Sequence, residues 1–369
     1  MKVLHIITRM NTGGPAVFLD HLTNSVNELG CQSIIAYGFC ESNESDYTNN
    51  HNLKTELVKI KSLHRSLSPI DDIRAFFQIR KVIKQVNPDV VNTHTSKGGV
   101  LGRVAAKSVS RKLPVVHTFH GHLIYGYFAR YKSIVFTIIE KFMSRYTDVA
   151  VAVTGETKKS LTSLGIGKNL NWRIIQIGVP VYNKPIKPLS AGVGLKILWV
   201  GRFTDIKDPF YALDVIKSIL DKNDLQVELT MVGEGELFEK VKASSVNLPI
   251  KFTGWMLNPF ENIQEFDLLL LTSRNEGLPL VMLEAANYGR ATLSRNVGGV
   301  GEFIKNEQSG YLVSGVSYEM AEKLTEIAQD KNSLKDVGLA ANKLLGNEFS
   351  VEIMADKYFS LYSELIVSN

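Results

Sequence analysis

The chain alternates short apolar segments of strand length with longer segments of helical periodicity, and it does so twice. In the first half, apolar segments such as Val3–Thr8, Gln32–Tyr37 and Val115–Thr118 are separated by helical stretches, of which Ile70–Val86 is the clearest. Strands that alternate with helices form parallel βαβ units with right-handed crossovers. The pattern therefore predicts an α/β fold built on parallel sheets.

The alternation is interrupted once, by the aperiodic segment 182–194 (YNKPIKPLSAGVG), and restarts at Lys196–Val200. Prolines and glycines in so short a stretch are typical of a linker. A length of 369 residues also suits two domains. We therefore predict two Rossmann-like, doubly wound domains, 1–182 and 195–350, joined by the linker 183–194 and facing across a cleft. Ligands of such sheets bind beyond the carboxyl ends of the strands.

The net charge of +5 is unevenly distributed along the chain. Residues 1–190 hold 25 Lys and Arg against 12 Asp and Glu, whereas residues 191–369 hold 17 against 25. A basic half can meet nucleic acid, a phosphorylated substrate or an anionic membrane surface, and charge alone does not choose among these partners.

Cysteine content and apolar run length indicate the cellular compartment. The two cysteines, Cys31 and Cys40, are too few for a disulfide scaffold or a cysteine-rich zinc site. No apolar run reaches the ~18–20 residues that span a bilayer. The first residues also lack the length of a signal peptide. We therefore expect a cytoplasmic protein.

Two glycine-containing turns are candidates for binding phosphate groups. Gly13 and Gly14 follow the first strand and precede a helix, whose first N–H groups attract anions. By itself such a turn is more often only a turn. Gly233-Glu-Gly235 also links a strand to a helix, but Phe238 stands where dinucleotide-binding proteins have a third glycine. A tight turn is the better interpretation there.

Two cations follow the strand Lys196–Val200. Arg202 comes directly after this strand, and Lys207 lies five residues further on. A guanidinium and an ammonium at this spacing could clamp a diphosphate, the first as a bidentate donor and the second as a point charge. The alternative is a pair of solvated basic residues.

The segment 273–289 carries the strongest signal. Glu276 follows an apolar strand, Gly277 and Pro279 belong to a turn, and Glu284 lies in the helix after that turn. The N–H groups at the start of a helix are donors to anions, and the two carboxylates could hold sugar hydroxyls.

Three motifs of the second half together resemble the retaining GT-B glycosyltransferases of family 4. They are GRF (201–203) with Lys207, EGLPLVMLEA (276–285) and GGVGE (298–302). The first half agrees, because DVVNTHTSKGGVLGR (89–103) and HTFHGH (117–122) are similar to two motifs of that family. Phe349-Ser350 and the final helix also fit. The resemblance covers the whole chain and implies a GT-B fold whose helix 351–369 returns to the N-terminal domain.

The resemblance implies a donor site whose residues are carried over motif by motif. Arg202 and Lys207 would bind the donor diphosphate. Glu276 would contact the transferred sugar, and Glu284 would hold the ribose. His120 would lie near the reaction centre, and the predicted catalytic residues are His120, Glu276, Arg202 and Lys207. Further donor contacts would come from Gly13, Gly14, Trp255, Met256, Gly277, Leu278, Pro279, Leu280 and Val281. Candidate acceptor contacts are His94, Lys97, Arg103 and His122.

Two positions depart from the family pattern without removing a functional group. Asp208 stands where a glycine usually follows the lysine, and Gly98 stands where an alanine is usual. The three histidines of segment 117–122 have no carboxylate near them, and the family uses no metal for its chemistry. We therefore expect no metal and no other cofactor.

The resemblance implies a retaining glycosyltransferase that moves a hexose or HexNAc from a UDP-sugar to a glycan or undecaprenyl-diphosphate-linked acceptor. Such enzymes serve capsule, O-antigen and related surface-polysaccharide assembly. The basic first half suits an acceptor that carries a lipid diphosphate, and nucleic acid is not expected. Alternatives are an isomerase that resembles the UDP-sugar 2-epimerases and a non-catalytic subunit that binds a nucleotide-sugar.

A peripheral contact with an anionic membrane, at the inner face of the cell membrane, is a further expectation. The segment 123–132 interleaves aromatic residues with cations, and the helix Ile70–Val86 is basic. The alternative is an amphipathic helix that is packed in the core and keeps a solvated basic face. The cations of the basic helix are Arg74, Arg80, Lys81 and Lys84.

Overall fold

The computed structural model describes residues 1–41, 44–121, 130–182, 185–190, 192, 194–222, 225–260 and 262–367, without the side chains of 130–132. It divides the chain into two compact units. Unit 1 comprises Met1–Pro180 and Ser350–Asn369, and unit 2 comprises Val181–Phe349. Unit 2 is therefore an insertion in the sequence of unit 1.

Unit 1 is an α/β unit with a parallel sheet in the order β3-β2-β1-β4-β5-β6-β7. Its strands are β1 (Lys2–Arg9), β2 (Gln32–Gly38), β3 (Glu56–Lys59), β4 (Val90–His94), β5 (Val115–Phe119), β6 (Val149–Ala152) and β7 (Asn171–Ile174). Its helices are α1 (Gly14–Glu28), α2 (Tyr47–Asn50), α3 (Pro69–Val86), α4 (Ser96–Val109), α5 (Arg130–Met143), α6 (Gly155–Ser163) and the C-terminal helix (Val351–Val367). The strand order reverses between β1 and β4, and such a switch point is where doubly wound sheets bind ligands.

One face of this sheet forms a core with α3 and α4. Leu4, Ile6 and Val91 of the strands pack with Ile79 of α3 and Ala105 of α4, all of them buried. Parallel sheets are covered on both faces, which explains why their strands are apolar without alternation.

The C-terminal helix belongs to the core of unit 1. Ser350 forms a bridge with Val179, and the helix then packs beside α1. Tyr358 and Tyr362 are fully buried. The Tyr362 hydroxyl accepts a hydrogen bond from Asn92 Nδ2 at 2.7 Å, so the last helix is fixed to strand β4 by a polar contact as well as by apolar packing.

Unit 2 repeats the same architecture with the strand order β10-β9-β8-β11-β12-β13, again parallel. Its strands are β8 (Leu195–Val200), β9 (Val227–Val232), β10 (Ile250–Gly254), β11 (Leu268–Leu271), β12 (Ala291–Arg295) and β13 (Tyr311–Val313). Its helices are α7 (Pro209–Leu220), α8 (Phe238–Ser244), α9 (Leu280–Asn287), α10 (Val300–Phe303), α11 (Ser317–Gln329) and α12 (Lys331–Glu348). The switch point of this sheet lies between β8 and β11.

The described part of the predicted linker 183–194 is anchored to unit 2. Ser190 donates through its backbone N–H and its hydroxyl to the buried carboxylate of Asp267. Arg290, also buried, donates to the carbonyls of Lys187 and Pro188. The boundary of the units consequently falls at Pro180 rather than after residue 182 or 194, because buried polar groups hold the proline-rich segment in place.

Candidate active site

In unit 2, loops after β8 and β11 carry the predicted cations and carboxylate. Arg202 follows β8, and Glu276 lies in the loop after β11. Trp199 Nε1 donates to Thr272 Oγ1 at 2.8 Å, and Thr272 Oγ1 donates to the carbonyl of Lys207, also at 2.8 Å. The two loops are therefore joined by hydrogen bonds at the switch point of the sheet.

Lys207 and Glu276 form an ion pair. Lys207 Nζ lies 2.5 Å from Glu276 Oε1, and Ser273 Oγ donates to the same oxygen at 2.6 Å. Arg202 is exposed, and no carboxylate of the described residues pairs with it. The site thus combines a free guanidinium with an ammonium–carboxylate pair, which suits a ligand that has both phosphate oxygens and hydroxyl groups.

The loop around Gly233 and Gly235 supports the Arg202 loop. A Cβ at Gly233 would lie 2.0 Å from the carbonyl oxygen of Gly201, and the φ of Gly233 is +130°. Phe203 N donates to the carbonyl of Glu234 at 2.9 Å. These contacts show a tight turn that holds its neighbour, in agreement with the interpretation preferred from the sequence.

Trp255 and Met256 follow β10 at the same edge of the sheet. Gly233 N donates to the carbonyl of Gly254 at 2.9 Å, which places the start of this segment beside the Gly233 turn. Trp255 is 40% exposed. The unit therefore presents an aromatic side chain at the edge that carries Arg202.

The loop after Glu276 is held by the glycine motif 298–302. Gly298 has a φ of +54°, and a Cβ there would lie 1.9 Å from the carbonyl oxygen of Glu276. Gly299 N donates to that same carbonyl at 3.1 Å. Glycine at 298 is thus required by the close approach of the Glu276 backbone, and this motif holds the loop that carries the Glu276 carboxylate.

The turn before α9 is exposed at its two ends and buried between them. Leu278, Pro279 and Leu280 are buried, whereas Gly277 and Val281 keep partial exposure. The exposed part of Gly277 is backbone, and the first N–H groups of α9 have no partner within the helix.

Glu284 lies one turn into α9 and has an unusual electrostatic setting. Burial raises the pKa of its carboxyl to about 7, although the residue retains some solvent contact. Within the described part of the chain, no donor forms a hydrogen bond to this carboxyl. Its proximity also raises the pKa of Tyr182, together with burial of that phenol. A ligand that brought hydroxyl donors would satisfy the carboxylate.

Asp208, which departs from the family pattern, adopts the left-handed conformation of a glycine, with a φ of +48°. Arg274 Nε donates to Asp208 Oδ2 at 2.9 Å, and Arg295 Nη1 donates to the same oxygen at 3.1 Å. Aspartate tolerates this conformation better than most residues, and two arginines stabilise it here. The departure therefore preserves the backbone of the Lys207 turn.

In unit 1, Gly13 is the N-cap residue of α1, which begins at Gly14. A Cβ at Gly13 would meet no atom closer than 3.7 Å. Its φ of 170° is also ordinary extended backbone. Among the described residues, nothing gives a steric reason for glycine at this position, which leaves room for a ligand near the backbone.

His120 follows β5 and lies against Phe18 of α1, with ring centroids 4.7 Å apart. Its Nε2 lies 3.1 Å from Nδ1 of His94, the last residue of β4. Burial lowers the pKa of His120 to about 4, so the imidazole is neutral at neutral pH. His94 is completely buried and touches His120 rather than solvent.

The other residues predicted to bind the acceptor have different positions. Lys97 pairs with Asp72 and donates to the carbonyl of Ser66. Arg103 is 1% exposed and donates to both oxygens of the buried Glu140, at 2.8 and 2.9 Å. The structure thus assigns Arg103 to the core instead of an acceptor surface, because its guanidinium is engaged by a buried carboxylate. His122 lies outside the described residues, as does most of segment 123–132.

Two family models match the chain, one in each half. "Glycosyltransferase Family 4" matches residues 12–181, and "Glycosyl transferases group 1" matches residues 194–330. The chain belongs to glycosyltransferase family 4.

Curated relatives and solved structures agree with this family. The Escherichia coli UDP-Gal:alpha-D-GlcNAc-diphosphoundecaprenol alpha-1,3-galactosyltransferase is 28% identical, over 84% of each chain. The E. coli O-antigen biosynthesis glycosyltransferase WbnH is also 28% identical, over 96% of this chain and 97% of that protein. The crystal structure of Anabaena Alr3699/HepE in complex with UDP and glucose aligns with a TM-score of 0.78 at 17% identity, covering 99% and 100% of the two chains.

These relatives establish that this member of family 4 is a glycosyltransferase with the GT-B type of fold, as the motifs predicted. They do not favour the epimerase alternative. In the described residues, no group of three or more His, Cys, Asp or Glu side chains could hold a metal ion. Every helix within the described ranges is too short or too polar to cross a membrane.

Sequence reasoning missed His5 and Ser273. His5 lies in the middle of β1 and is completely buried beside His94. A histidine inside an otherwise apolar strand was the available signal, because a buried imidazole needs polar partners. Ser273 gave no comparable signal, since its role depends on the fold of the loop that carries Glu276.

Proposed function

We propose that this family 4 glycosyltransferase transfers a hexose or HexNAc from a UDP-sugar to an undecaprenyl-diphosphate-linked acceptor, with retention of configuration, in surface-polysaccharide assembly. The observation that carries the proposal is the exposed Arg202, which pairs with no carboxylate of the described residues and lies in the loop that also carries Lys207, the partner of Glu276. The names of the relatives support UDP-sugar as donor and undecaprenyl diphosphate as the acceptor lipid.

In this proposal, unit 2 binds the nucleotide-sugar. Arg202 and Lys207 neutralise the diphosphate as it departs, which is the step at which negative charge develops. Glu276 holds hydroxyls of the transferred sugar, and Glu284 accepts hydrogen bonds from the ribose. The remaining donor contacts are Gly13, Gly14, Trp255, Met256 and the backbone of 277–281.

Unit 1 binds the acceptor, and its His120 provides a neutral imidazole near the reacting sugar. Because the charge on the leaving group is stabilised by Arg202, Lys207 and helix N–H groups, the enzyme needs no metal ion. The candidate acceptor contacts that keep some exposure within the described residues are Lys97 and the surroundings of His120.

The transferase proposal is tested by a panel of UDP-, GDP-, ADP- and TDP-sugars, with lipid-linked acceptors and with EDTA present. The expected result is release of UDP from one UDP-sugar, dependent on acceptor and unchanged by EDTA. Interconversion of the sugar without acceptor would establish an isomerase instead. Loss of activity in EDTA, with recovery on adding a divalent cation, would overturn metal independence alone.

The role of Arg202 is tested by Arg202→Ala. If the guanidinium stabilises the leaving group, kcat/KM falls by an amount equivalent to about 2–4 kcal/mol. Lys251→Ala is the matched control, because Lys251 is a cation on β10 that pairs with Glu228 at the surface. Equal turnover in the two variants would remove Arg202 from the mechanism.

We further propose that the enzyme contacts an anionic membrane through α3 and α5, at the inner face of the cell membrane. Ile73 and Phe77 of α3 are 60% and 58% exposed, and Ile138 and Phe142 of α5 are 61% and 47% exposed. Both helices pack beside α4. The exposed cations Arg74, Lys81 and Lys84 share the exposed face of α3. Apolar side chains flanked by cations are typical of helices that lie in a membrane interface.

Vesicle co-sedimentation tests the membrane contact. Binding is expected with vesicles that contain anionic lipid, less with zwitterionic vesicles, and Phe77→Ser should weaken it. Val246→Ser is the control, because Val246 is an apolar residue that is 71% exposed but lies in unit 2. Equal binding of both variants would show that α3 is not the contact.

A further inference from the structure

Three histidines of unit 1 form a continuous hydrogen-bonded chain. His5 Nδ1 lies 3.3 Å from His94 Nε2, and His94 Nδ1 lies 3.1 Å from His120 Nε2. They come from β1, from the end of β4 and from the residue after β5, so the chain crosses neighbouring strands at the switch point of the sheet. We call these residues the histidine chain.

The histidine chain is enclosed by apolar and aromatic groups. The rings of His5 and His94 stack with centroids 5.5 Å apart and planes 19° apart. Phe18 contacts both His94 and His120, and Tyr362 of the C-terminal helix lies edge-on to His5. Burial lowers the pKa of His5 to about 3, and it lowers the pKa of His94 and His120 as well. All three rings are therefore neutral at neutral pH.

Neutral rings in such a chain must share one tautomer. A neutral imidazole carries a single N–H, and each of the two contacts needs one donor and one acceptor. Either every ring is protonated at Nδ1, or every ring is protonated at Nε2. Any mixture would bring two bare nitrogens or two N–H groups together at 3.1–3.3 Å.

The two ends of the histidine chain differ in their surroundings. Both terminal nitrogens, His5 Nε2 and His120 Nδ1, are buried without a hydrogen-bond partner among the described groups. His5 is completely buried, whereas His120 retains partial exposure and precedes Gly121, whose φ is +151°. A donor at His5 Nε2 would stay unsatisfied, because the whole residue is buried, whereas a donor at His120 Nδ1, although buried in this structure, belongs to a partly exposed residue that a ligand can approach.

We propose that His5 and His94 are positioning residues that hold His120 in the Nδ1–H tautomer and direct its N–H to a bound ligand. Resting on the proposed function, that ligand is an oxygen atom of the bound substrate. The tautomer of His120 is thereby fixed by a residue two strands away, and His5 acts on the site without touching substrate.

The tautomers are measured on the full chain, labelled with ¹⁵N-histidine and free of ligand, by long-range ¹H–¹⁵N correlation. The expected spectrum shows His5, His94 and His120 all protonated at Nδ1. Protonation of any of the three at Nε2 would overturn the proposal. This measurement needs no substrate, so it is independent of whether a UDP-sugar is the donor.

Variants of His5 test whether the tautomer is transmitted. His5→Phe removes the donor to His94 and should give His120 a mixed tautomer, while His5→Asn keeps an amide donor near the Nδ1 position and should preserve Nδ1–H. His117→Asn is the control, because His117 is a buried histidine of β5 that forms a hydrogen bond with Thr93 and does not belong to the histidine chain. An unchanged His120 tautomer in His5→Phe would also overturn the proposal. Should that variant not fold, the wild-type and His5→Asn spectra decide.

Kinetics separate positioning from general destabilisation. With an active donor identified, His5→Phe is expected to lower kcat by up to about 100-fold, with KM for the donor changed little. His5→Asn should recover most of kcat. A rise in KM with kcat unchanged would contradict positioning. Absence of transfer with every donor, combined with the expected tautomers, would instead contradict only the proposed function.

Discussion

Two glutamates of unit 2, Glu276 and Glu284, differ in their hydrogen-bond partners. Glu276 accepts hydrogen bonds from Lys207 and Ser273, so its charge is balanced before any ligand arrives. Glu284 has no such partner in the described residues, and burial raises the pKa of its carboxyl to about 7. Ionisation of such a carboxyl lowers the stability of the folded protein. This is expected of a residue that binds a ligand and does not stabilise the fold.

We expect Glu284→Gln to stabilise the free protein above neutral pH. The folded-state pKa lies above the unfolded value, so the wild type loses stability as pH rises from about 4.5 to 7, and the glutamine removes that loss. The gain at pH 8 relative to pH 4.5 should be about 3 kcal/mol. Urea unfolding at both pH values measures it. A pH-independent difference between variant and wild type would contradict this assignment.

Gly98→Ala should destabilise unit 1, although alanine is usual at this position in the family. A Cβ at Gly98 would lie 2.6 Å from the backbone N of Thr8, where α4 crosses β1. The expected cost is about 1–3 kcal/mol, because backbone has to move. Gly346→Ala is the control: a Cβ there meets nothing within 4 Å, and helix α12 should gain about 0.5–1 kcal/mol. Thermal unfolding of both variants compares the effects.

At the scale of elements, the sequence predicted the long strands and helices well and the short edge strands poorly. The helix predicted over Ile70–Val86 is observed as Pro69–Val86. The strands Glu56–Lys59 and Asn171–Ile174 were missed, because a segment of four residues that mixes polar and apolar side chains is too short to establish a period. Such strands form when a neighbouring strand supplies hydrogen bonds, and the sequence of the short strand itself does not reveal that neighbour.

The residues of the candidate site were also predicted from the sequence only in part. Motif resemblance selected Arg202, Lys207 and Glu276, and the structure brings Lys207 and Glu276 into contact. It did not reveal that Arg103 pairs with Glu140 or that His5 joins His94, because both contacts connect residues on different elements. Sequence patterns report which residue types end a strand, whereas partners across elements depend on packing.

Asp208 forms the turn at which helix α7 begins, and its ion pairs with Arg274 and Arg295 stabilise that turn. Asp208→Asn tests this stabilisation. The substitution keeps a residue that tolerates a positive φ but weakens the bonds from Arg274 and Arg295, so unit 2 should lose about 1–2 kcal/mol. Asp214→Asn is the control, since Asp214 forms an exposed pair with Lys217 in the same helix. Chemical denaturation should separate the two variants, and equal midpoints would show that the arginines do not support the turn.

At the scale of the whole molecule, the two units differ in how their chains are assembled. Unit 2 is continuous from Val181 to Phe349, whereas unit 1 needs both Met1–Pro180 and Ser350–Asn369. The second segment supplies Tyr358 and Tyr362 to the core of unit 1. Completion of that core therefore depends on residues separated by the whole of unit 2.

We expect a fragment of residues 181–349 to fold by itself and a chain that ends at Phe349 to lose unit 1. The fragment contains a continuous sheet with its own core. The truncated chain lacks the helix that covers β4, so buried residues such as Asn92 lose their partner. Circular dichroism and protease resistance measure both. A truncated chain as resistant as the full one would show that the last helix is dispensable.

The return of the last helix to unit 1 also sets an order for folding on the ribosome. Unit 2 is fully synthesised once Phe349 has been added, while unit 1 still awaits the helix Val351–Val367. Residues Met1–Pro180 therefore reach their native state only after this helix has been synthesised. The face of its sheet that this helix covers stays exposed to chaperones and proteases until the helix has been made, and a stop codon before residue 351 removes part of the core of unit 1 while sparing unit 2.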